Sequence, residues 1–153
     1  MKILVTGATG FLGKYVIEEL LDHDYSIVAF GRNEKVGKAL ESERVQFVKG
    51  DLSSIEELRQ AFQEIDAVVH AGALSTAWGP WKAFYQANVI GTQNVLDLCR
   101  EYAVKRLVYV SSPSIYAAGK DQFDIKESDA PTENHLNNYI RSKLASEKLF
   151  SDY

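Results

Sequence analysis

The chain alternates short apolar runs, rich in β-branched residues, with longer segments in which apolar residues recur at helical spacing. Short runs of this kind are typical of buried β-strands. They predict strands at Lys2–Thr6, Ser26–Phe30, Val45–Lys49, Asp66–His70 and Arg106–Ser112.

The segments between and after these strands predict helices. Leu12, Val16 and Leu20 are spaced as on one face of a helix. Ser53 precedes Glu56 by three positions, a capping-box pattern that predicts the start of the third helix. The predicted helices are Phe11–Asp24, Glu34–Ser42, Ser53–Gln63, Trp81–Tyr102 and Asn137–Phe150.

Strands separated by helices pair in parallel and are joined by right-handed crossovers. The pattern therefore predicts an α/β fold in which helices cover both faces of an open, doubly wound parallel sheet. No internal repeat, linker or low-complexity tract divides the chain. One connection stands apart, because the polar stretch from Pro113 to about Asn134 is long, and such loops in a compact domain are usually functional or mobile.

Length, composition and charge agree with one globular domain. The 153 residues are 46% hydrophobic, which is enough for a substantial core. The net charge of −4 is spread along the chain without a basic stripe, which argues against nucleic acid as a partner. No apolar segment reaches membrane-spanning length, so we expect a cytoplasmic protein without a membrane partner. The single cysteine, Cys99, occupies a position predicted to be buried in a helix.

Glycines follow the first predicted strand directly, at Gly7, Gly10 and Gly13. Glycines mark any tight strand-to-helix turn, and a bare triplet is weak evidence for a nucleotide site. Here the run opens a helix, whose N-terminal amides and dipole favour an anion, and the missing side chains let the backbone approach a pyrophosphate. The context therefore favours a dinucleotide-binding loop, although the spacing is Gly-x-x-Gly-x-x-Gly rather than Gly-x-Gly-x-x-Gly.

Six segments, in order, resemble motifs of the extended short-chain dehydrogenase/reductases, which include sugar-nucleotide epimerases and dehydratases and 3β-hydroxysteroid-dehydrogenase-like enzymes. TGATGFLG resembles the TGxxGxxG loop of that family, and NVIGT resembles its NxxGT helix. The segments are Thr6–Gly13, Gly50–Leu52, His70–Ala73, Asn88–Thr92, Tyr109–Tyr116 and Tyr139–Lys143. Each alone is weak, but together they make the sequence similar to this family from residue 1 to about 150.

The resemblance implies a Rossmann-type sheet in the order 3-2-1-4-5, with residues 1–153 forming an NAD(P)-binding domain. Family members run about twice as long, so we expect this chain to be a fragment that ends before a C-terminal substrate-binding domain. The parent protein would be an NAD(P)-dependent oxidoreductase or epimerase acting on a small-molecule secondary alcohol or ketone. The family also implies a homodimer through helices 81–102 and 137–150. A non-catalytic dinucleotide-sensing module and an inactive self-associating fragment are the alternatives.

The resemblance assigns cofactor-binding residues one by one. Asp51 would hydrogen-bond the adenine amino group, and the segment after the fourth strand would line the cofactor. Lys143 would bind the nicotinamide ribose. The full set is Gly7, Thr9, Gly10, Phe11, Leu12, Arg32, Asp51, Leu52, Ala71, Gly72, Ala73, Asn88, Tyr139 and Lys143.

Tyr139 and Lys143 lie four positions apart in a predicted helix and so share a face. Such a pair arises often by chance in an amphipathic helix. A nearby ammonium favours phenolate, however, and a phenolate can move a proton as a hydride moves. The resemblance makes both residues catalytic and adds Ser112 as donor to the substrate oxygen, with Ser111 and Ser114 as alternatives. A lone serine at the position of Ser112 would more often cap its own loop.

Arg32 decides which nicotinamide cofactor we expect. The end of the second strand holds an acid where a free 2′-hydroxyl is bound and an arginine where a 2′-phosphate is bound. This chain has Gly31, Arg32 and Asn33 there, without an acid. A guanidinium forks onto a phosphate, so NADP is favoured over NAD, with a solvated loop cation as the alternative for Arg32.

The remaining candidate residues do not change the predicted fold or activity. His23, His70 and His135 are scattered without a carboxylate or cysteine cluster at ligand spacing, so we expect no metal site, and His70 is predicted to be structural. Trp78 and Trp81 flank a Gly-Pro pair in a loop that either covers the nicotinamide or packs. Pro113 and the alanine after Tyr116 depart from many epimerases and resemble the steroid-dehydrogenase-like or reductase branches, which leaves the substrate class open.

Overall fold

A parallel five-stranded sheet in the order β3-β2-β1-β4-β5 forms the centre of the molecule. This computed structural model describes residues 1–134 and 136–152, so His135 and Tyr153 lie outside the described residues. The strand order confirms the Rossmann-type sheet that the sequence predicts. The strands are β1 (Lys2–Thr6), β2 (Ser26–Gly31), β3 (Val45–Lys49), β4 (Ala67–His70) and β5 (Arg106–Tyr109).

The carboxyl ends of the three central strands are level with one another. Thr6 at the end of β1 pairs with Phe30 of β2 on one side and with His70 of β4 on the other. The chain builds the sheet outward from β1 in one direction and then, from β4, in the other. Ligands of doubly wound folds bind at this reversal point, outside the carboxyl ends of the strands.

The helices that flank the sheet agree with the predicted ones in position but not in every boundary. Asp24 adopts a left-handed φ of 58°, which ends the first helix two residues before the predicted Asp24. The second also ends two residues earlier than predicted. They are α1 (Phe11–Asp22), α2 (Glu34–Leu40), α3 (Ile55–Arg59), α4 (Trp81–Phe84), α5 (Gly91–Glu101) and α6 (Asn138–Lys148).

The predicted third helix, Ser53–Gln63, was wrong by two residues at its start and by four at its end, because α3 spans Ile55–Arg59. Ser54, not Ser53, is the N-cap of α3, and its Oγ accepts a hydrogen bond from the Glu57 amide at 3.4 Å. Ser53 instead donates from its Oγ to a carboxylate oxygen of Asp51 at 2.7 Å. The helix begins later because Ser53 belongs to the turn that orients Asp51.

The predicted helix 81–102 is interrupted by a π-helical segment, Tyr85–Ile90, between α4 and α5. Asn88 lies in this segment and is only 2% exposed. π-Helical turns insert one extra residue per turn and are frequent at functional sites. The segment thereby brings a polar side chain into the interior next to α6.

Apolar layers cover both faces of the sheet. Val5 and Ile17 belong to the layer beneath α1, and Leu4 and Leu98 belong to the layer beneath α3 and α5. Cys99 is 1% exposed in this second layer, which confirms its predicted position in the core. Helix α6 packs against the π-helical segment, where the Ser146 Oγ donates to the Asn88 carbonyl at 2.9 Å.

Strand β5 ends at Tyr109, three residues before the predicted end. Ser112 is the N-cap of a short 3-10 turn, Pro113–Tyr116, because its side chain accepts a hydrogen bond from the Ser114 amide. Proline is well suited to the first position of such a turn. The long connection that follows contains one further 3-10 turn, Glu127–Asp129. No helix within residues 1–134 and 136–152 is long and apolar enough to cross a membrane. The homodimer through helices 81–102 and 137–150 stays a prediction.

Candidate functional site

A cleft of about 810 Å³ lies at the carboxyl ends of the central strands. The loops after β1, β2, β3 and β4 form most of its wall, and α6 closes one end. The structure thus brings together residues that are far apart in the sequence. Predicted site residues that line it are Gly7, Thr9, Gly10, Phe11, Leu12, Arg32, Asp51, Leu52, Ala71, Gly72, Ala73, Tyr139 and Lys143.

The glycine loop lies against the loop after β4 with almost no space between the two backbones. Gly7 has a left-handed φ of 69°, and a Cβ at this position would lie 2.6 Å from the Gly72 Cα. The loop is closed by a 2.9 Å hydrogen bond from the Gly10 amide to the Gly7 carbonyl. Gly10 caps α1 without a side chain, and the first turn of α1 lines the cleft and contains no acid, so the start of the helix presents no negative charge to an anion. This cradle fits a dinucleotide pyrophosphate.

A buried hydrogen-bond network supports the two loops from below. His70 is 1% exposed, and its ring nitrogens lie 2.6 Å from the Thr6 Oγ1 and 2.9 Å from the Thr92 Oγ1. The Thr6 Oγ1 also accepts from the Gly72 amide at 3.2 Å. Burial, and then the charge of Lys143, lowers the pKa of His70 to about 3. The ring is therefore neutral and structural, in agreement with the sequence-based prediction.

Arg32 and Asp51 face each other at the far end of the cleft, 3.6 Å apart between the guanidinium and the carboxylate. The second oxygen of Asp51 accepts from the Ser53 amide at 2.9 Å. Burial alone would raise the pKa of Asp51, but the Ser53 hydrogen bonds and the charge of Arg32 outweigh it and lower the pKa. Both groups are charged and partly exposed, so each can contact a ligand.

Helix α6 directs Tyr139 and Lys143 at the other end of the cleft. The helix begins after Asn137, whose Oδ1 accepts from the Ile140 amide at 2.8 Å. Lys143 is 2% exposed, and its Nζ donates to the Val110 carbonyl at 2.8 Å. Burial lowers the pKa of Lys143 to about 8, against a smaller opposing effect of Glu147. An ammonium and a phenol therefore share one wall, as the spacing predicts.

Asn88 supports the cleft from behind rather than lining it. Its Oδ1 accepts from the Leu74 amide at 2.6 Å, and its Nδ2 donates to the Leu74 carbonyl at 3.1 Å and to the Ser142 Oγ at 2.8 Å. The side chain thus connects the loop after β4 to the helix that carries Tyr139. Sequence reasoning placed Asn88 among the cofactor-binding residues, but the structure places it one layer away, with its amide groups already bonded.

The serines after β5 are not arranged as the resemblance implies, with Ser112 as the donor to a substrate oxygen. Ser112 Oγ lies 2.7 Å from the Ser114 Oγ and accepts from the Ser114 amide at 3.3 Å, so it does cap its own loop. Ser111 lines the cleft, and its buried Oγ has no hydrogen-bond partner among the described residues. Ser111, an alternative in the sequence analysis, therefore shares the cleft wall with Tyr139 and Lys143, whereas Ser112 does not line the cleft.

Some groups that hold the site residues in place have no recognisable pattern in the sequence. The Val110 carbonyl holds Lys143, and a backbone carbonyl is the same at every residue. The loop after β4 is fixed by contacts with α6: Asn138 donates to the Gly79 carbonyl at 2.9 Å, and Arg141 lies 4.0 Å from the Trp81 ring. Trp81 therefore packs, while Trp78 is 87% exposed and does not line the cleft.

In the part of the chain that the structure describes, no group of three or more His, Cys, Asp or Glu side chains could hold a metal ion. His135, which entered the sequence-based expectation, lies outside the described residues.

Comparisons with known proteins give consistent similarities. Residues 3–153 match the model of the NAD dependent epimerase/dehydratase family. A 2-alkyl-3-oxoalkanoate reductase from Shewanella oneidensis is 36% identical over 148 residues, covering 97% of this chain and 38% of that protein. One from Stenotrophomonas maltophilia is 42% identical over 115 residues, covering 75% and 34%. The structure of Thermus thermophilus UDP-glucose 4-epimerase with NAD superposes with a TM-score of 0.87 at 28% identity, covering 100% and 50%. The chain spans half or less of each of these proteins.

Proposed function

The chain belongs to the NAD-dependent epimerase/dehydratase family, and on that premise we propose that it supplies the cofactor-binding and catalytic residues of an oxidoreductase acting on a secondary alcohol or its ketone. The observation that carries the proposal is the shared cleft. Tyr139 and Lys143 line the same cavity as the glycine loop. Arg32 and Asp51 follow β2 and β3 on one side of β1, whereas Lys143 bonds the Val110 carbonyl after β5 on the other side. A cofactor laid along it from the Arg32 end would have its reactive end near Tyr139.

Each residue has a distinct task in this proposal. The bound nicotinamide cofactor supplies the hydride chemistry. Tyr139 moves a proton to or from the substrate oxygen. Lys143, with a pKa of about 8, is mostly protonated at neutral pH, so its ammonium stabilises negative charge beside it. The cofactor's ribose hydroxyls are the second partner that we propose for Lys143.

Ser112 is the proposed donor to the reacting oxygen, although it does not line the described cleft and its Oγ lies 2.7 Å from the Ser114 Oγ. If the Ser112 Oγ accepts from both the Ser114 amide and the Ser114 hydroxyl, its own proton is free to donate to a ligand. Such a donor stabilises charge that develops on the substrate oxygen. Ser111 is the competing candidate, because the residue lines the cleft and its buried Oγ has no hydrogen-bond partner among the described residues.

For the cofactor we propose NADP(H), with NAD(H) as the second candidate. The support is Arg32, which is two-thirds exposed at the cleft mouth just beyond β2, and the lack of an acid at Gly31, Arg32 or Asn33. A guanidinium there can bind a 2′-phosphate, which a carboxylate would repel. NAD(H) is kept because the similar Thermus epimerase structure holds NAD.

For the substrate we propose a 3-oxo compound that is reduced, in preference to a sugar nucleotide that is epimerised. The support is similarity to two proteins described as 2-alkyl-3-oxoalkanoate reductases, together with Pro113 and Ala117, which depart from the pattern of many epimerases. A purely sensory dinucleotide module is disfavoured because Tyr139 and Lys143 are both retained on the cleft wall.

The test is turnover by the full-length protein, with NADPH and either a 2-alkyl-3-oxoalkanoate or UDP-glucose. We expect oxidation of NADPH with the keto acid. We expect no conversion of UDP-glucose to UDP-galactose when NAD is supplied, a redox-neutral reaction that must be followed by its sugar-nucleotide product. Tyr139→Phe should lower kcat by roughly 10²-fold or more while leaving NADPH affinity within about threefold. Tyr116→Phe, at a tyrosine that does not line the cleft, is the matched control and should retain activity. Full turnover by Tyr139→Phe would remove Tyr139 from the mechanism.

The same assay distinguishes the two serines. Ser112→Ala should lower kcat by about 10²-fold, because it removes one donor to the reacting oxygen. Ser111→Ala keeps the neighbouring backbone and should lower kcat far less. The reverse order would transfer the role to Ser111.

A further inference from the structure

We propose that Tyr109 is a positioning residue, whose aromatic ring holds the ammonium group of Lys143 at the edge of the cleft. Tyr109 ends β5 and does not line the cleft. The proposal deepens the proposed function and rests on it, since it gives a second tyrosine a part in the same site without any contact with substrate or cofactor.

The geometry places Lys143 between two groups from the end of β5. Its Nζ lies 4.2 Å from the centroid of the Tyr109 ring and 2.8 Å from the Val110 carbonyl oxygen. The face of an aromatic ring carries negative partial charge and attracts a cation within about 6 Å, more strongly where water is excluded. Lys143 is 2% exposed, so the contact between its ammonium and the ring is shielded from bulk water.

The ring itself is fixed from other directions. Phe150 stacks on it, with centroids 4.7 Å apart, and His70 lies 5.5 Å away. These contacts give Tyr109 little freedom to follow Lys143 if the lysine moves. The lysine is therefore positioned by the ring, and the ring is positioned by the core.

The Tyr109 ring acts on the charge of Lys143 together with the charged and titratable groups that surround the lysine. Glu147 follows one turn later on α6 and favours the ammonium, and Tyr139 precedes it by one turn. From β4, His70 is neutral, with a pKa of about 3. From β5, burial raises the pKa of Tyr109, so its phenol stays neutral and acts through its ring. Burial opposes the charge on Lys143, and the ring face and the Val110 carbonyl offset that effect.

The alternative is that Tyr109 only fills space between the sheet and α6. Both roles predict that a small residue at 109 destabilises the fold, so stability does not separate them. Only the electrostatic role predicts that the titration of Lys143 follows the electron density of the ring at constant shape.

The test is the pKa of the Lys143 ammonium, measured by NMR on protein labelled at the lysine 13Cε, with the resonance assigned by its loss in Lys143→Met. The measurement needs neither cofactor nor substrate, so a failure to bind NADPH or NADH would count against the proposed function and not against this inference. Tyr109→Phe, which keeps the ring, should leave the Lys143 pKa within about 0.3 units, whereas Tyr109→Leu should lower it by about one unit.

A series of fluorinated phenylalanines at position 109 keeps the test decisive if Tyr109→Leu does not fold. Fluorine withdraws electron density from the ring face with little change of shape, so the Lys143 pKa should fall stepwise from phenylalanine to monofluoro- to trifluorophenylalanine. In the full-length protein, the alkaline limb of the kcat/KM profile should move in the same order. A Lys143 pKa that stays constant across the fluorinated series would overturn the proposal.

Discussion

Asn88 donates a 2.8 Å hydrogen bond to the Oγ of Ser142, one residue before Lys143 on the helix that enters the cleft. The same asparagine bonds both the amide and the carbonyl of Leu74, in the loop after β4. One buried side chain therefore sets the distance between the loop that would face the cofactor and the helix that carries Tyr139 and Lys143. The contact stabilises the fold and the site together.

Replacing Asn88 by alanine should be costly. The change removes the partner of the partly buried Leu74 amide and carbonyl and of the buried Ser142 Oγ, and each unsatisfied buried group costs on the order of 1–3 kcal/mol. We expect the free energy of unfolding in urea to fall by about 3 kcal/mol. Gln86→Ala, at an exposed position of the same π-helical segment, should change it by less than about 0.5 kcal/mol. Equal effects of the two substitutions would show that Asn88 does not fasten the site.

Gly7 tests the contact between the two loops. Alanine at this position combines an unfavourable φ of 69° with a Cβ 2.6 Å from the Gly72 Cα. Gly119 is a matched control, because its φ is 71° but an added Cβ would meet nothing within 4 Å. We expect Gly119→Ala to cost about 1 kcal/mol of unfolding free energy and Gly7→Ala about 3 kcal/mol, since the second adds steric overlap to the same backbone strain. Similar costs in urea unfolding would argue against the close approach.

The strands were well predicted from the sequence because apolar β-branched runs end sharply at polar or glycine positions. The boundaries of β1 and β3 agree with prediction at both ends. The wrong boundaries have physical causes that a local pattern does not contain. The π-helical segment within the predicted helix 81–102 contains Asn88, which is bonded to Leu74 and Ser142, and these partners come from other parts of the chain.

Most of the site residues predicted from the sequence lie on the cleft wall, whereas Asn88 and Ser112 do not. Gly7, Arg32 and Tyr139, for example, all line the cleft. The predictions were less complete where orientation decides, because the direction of a hydroxyl at the end of β5 depends on the turn that follows. Ser112 turns its Oγ toward Ser114, and the Val110 carbonyl holds Lys143 without any signature in the sequence.

Arg32 should determine the choice of nicotinamide cofactor. Arg32→Ser removes the cation that we propose for the 2′-phosphate, and a hydrogen bond to a charged group is worth on the order of 1.5–3 kcal/mol. We expect the Kd for NADPH to rise roughly tenfold or more and the Kd for NADH to change less than about threefold. Arg44→Ser is the control, because Arg44 pairs with Asp24 at 2.9 Å and does not line the cleft. An equal loss for both cofactors would make Arg32 a general cation and not a selector.

His70 should make the fold sensitive to mild acid. Its folded-state pKa of about 3 lies below the ordinary value of 6.5, so the unfolded chain binds the proton first and stability falls as the pH drops from 6.5 towards 3. Between pH 7.5 and pH 5, the wild type should lose about 2 kcal/mol more unfolding free energy than His70→Gln loses. His23→Gln, at an exposed histidine, should behave like the wild type. If His70→Gln and the wild type lose stability in parallel, His70 is not the group responsible.

Titration of the folded chain with NADPH and NADH, followed by nicotinamide fluorescence, tests whether the cleft binds a nicotinamide cofactor. Circular dichroism on the same sample establishes that the chain is folded. We expect saturable binding of both cofactors, tighter for NADPH, and its loss in Gly7→Val, which fills the cradle at Gly72. A folded wild-type chain that binds neither cofactor would show that the cleft is not a nicotinamide-cofactor site.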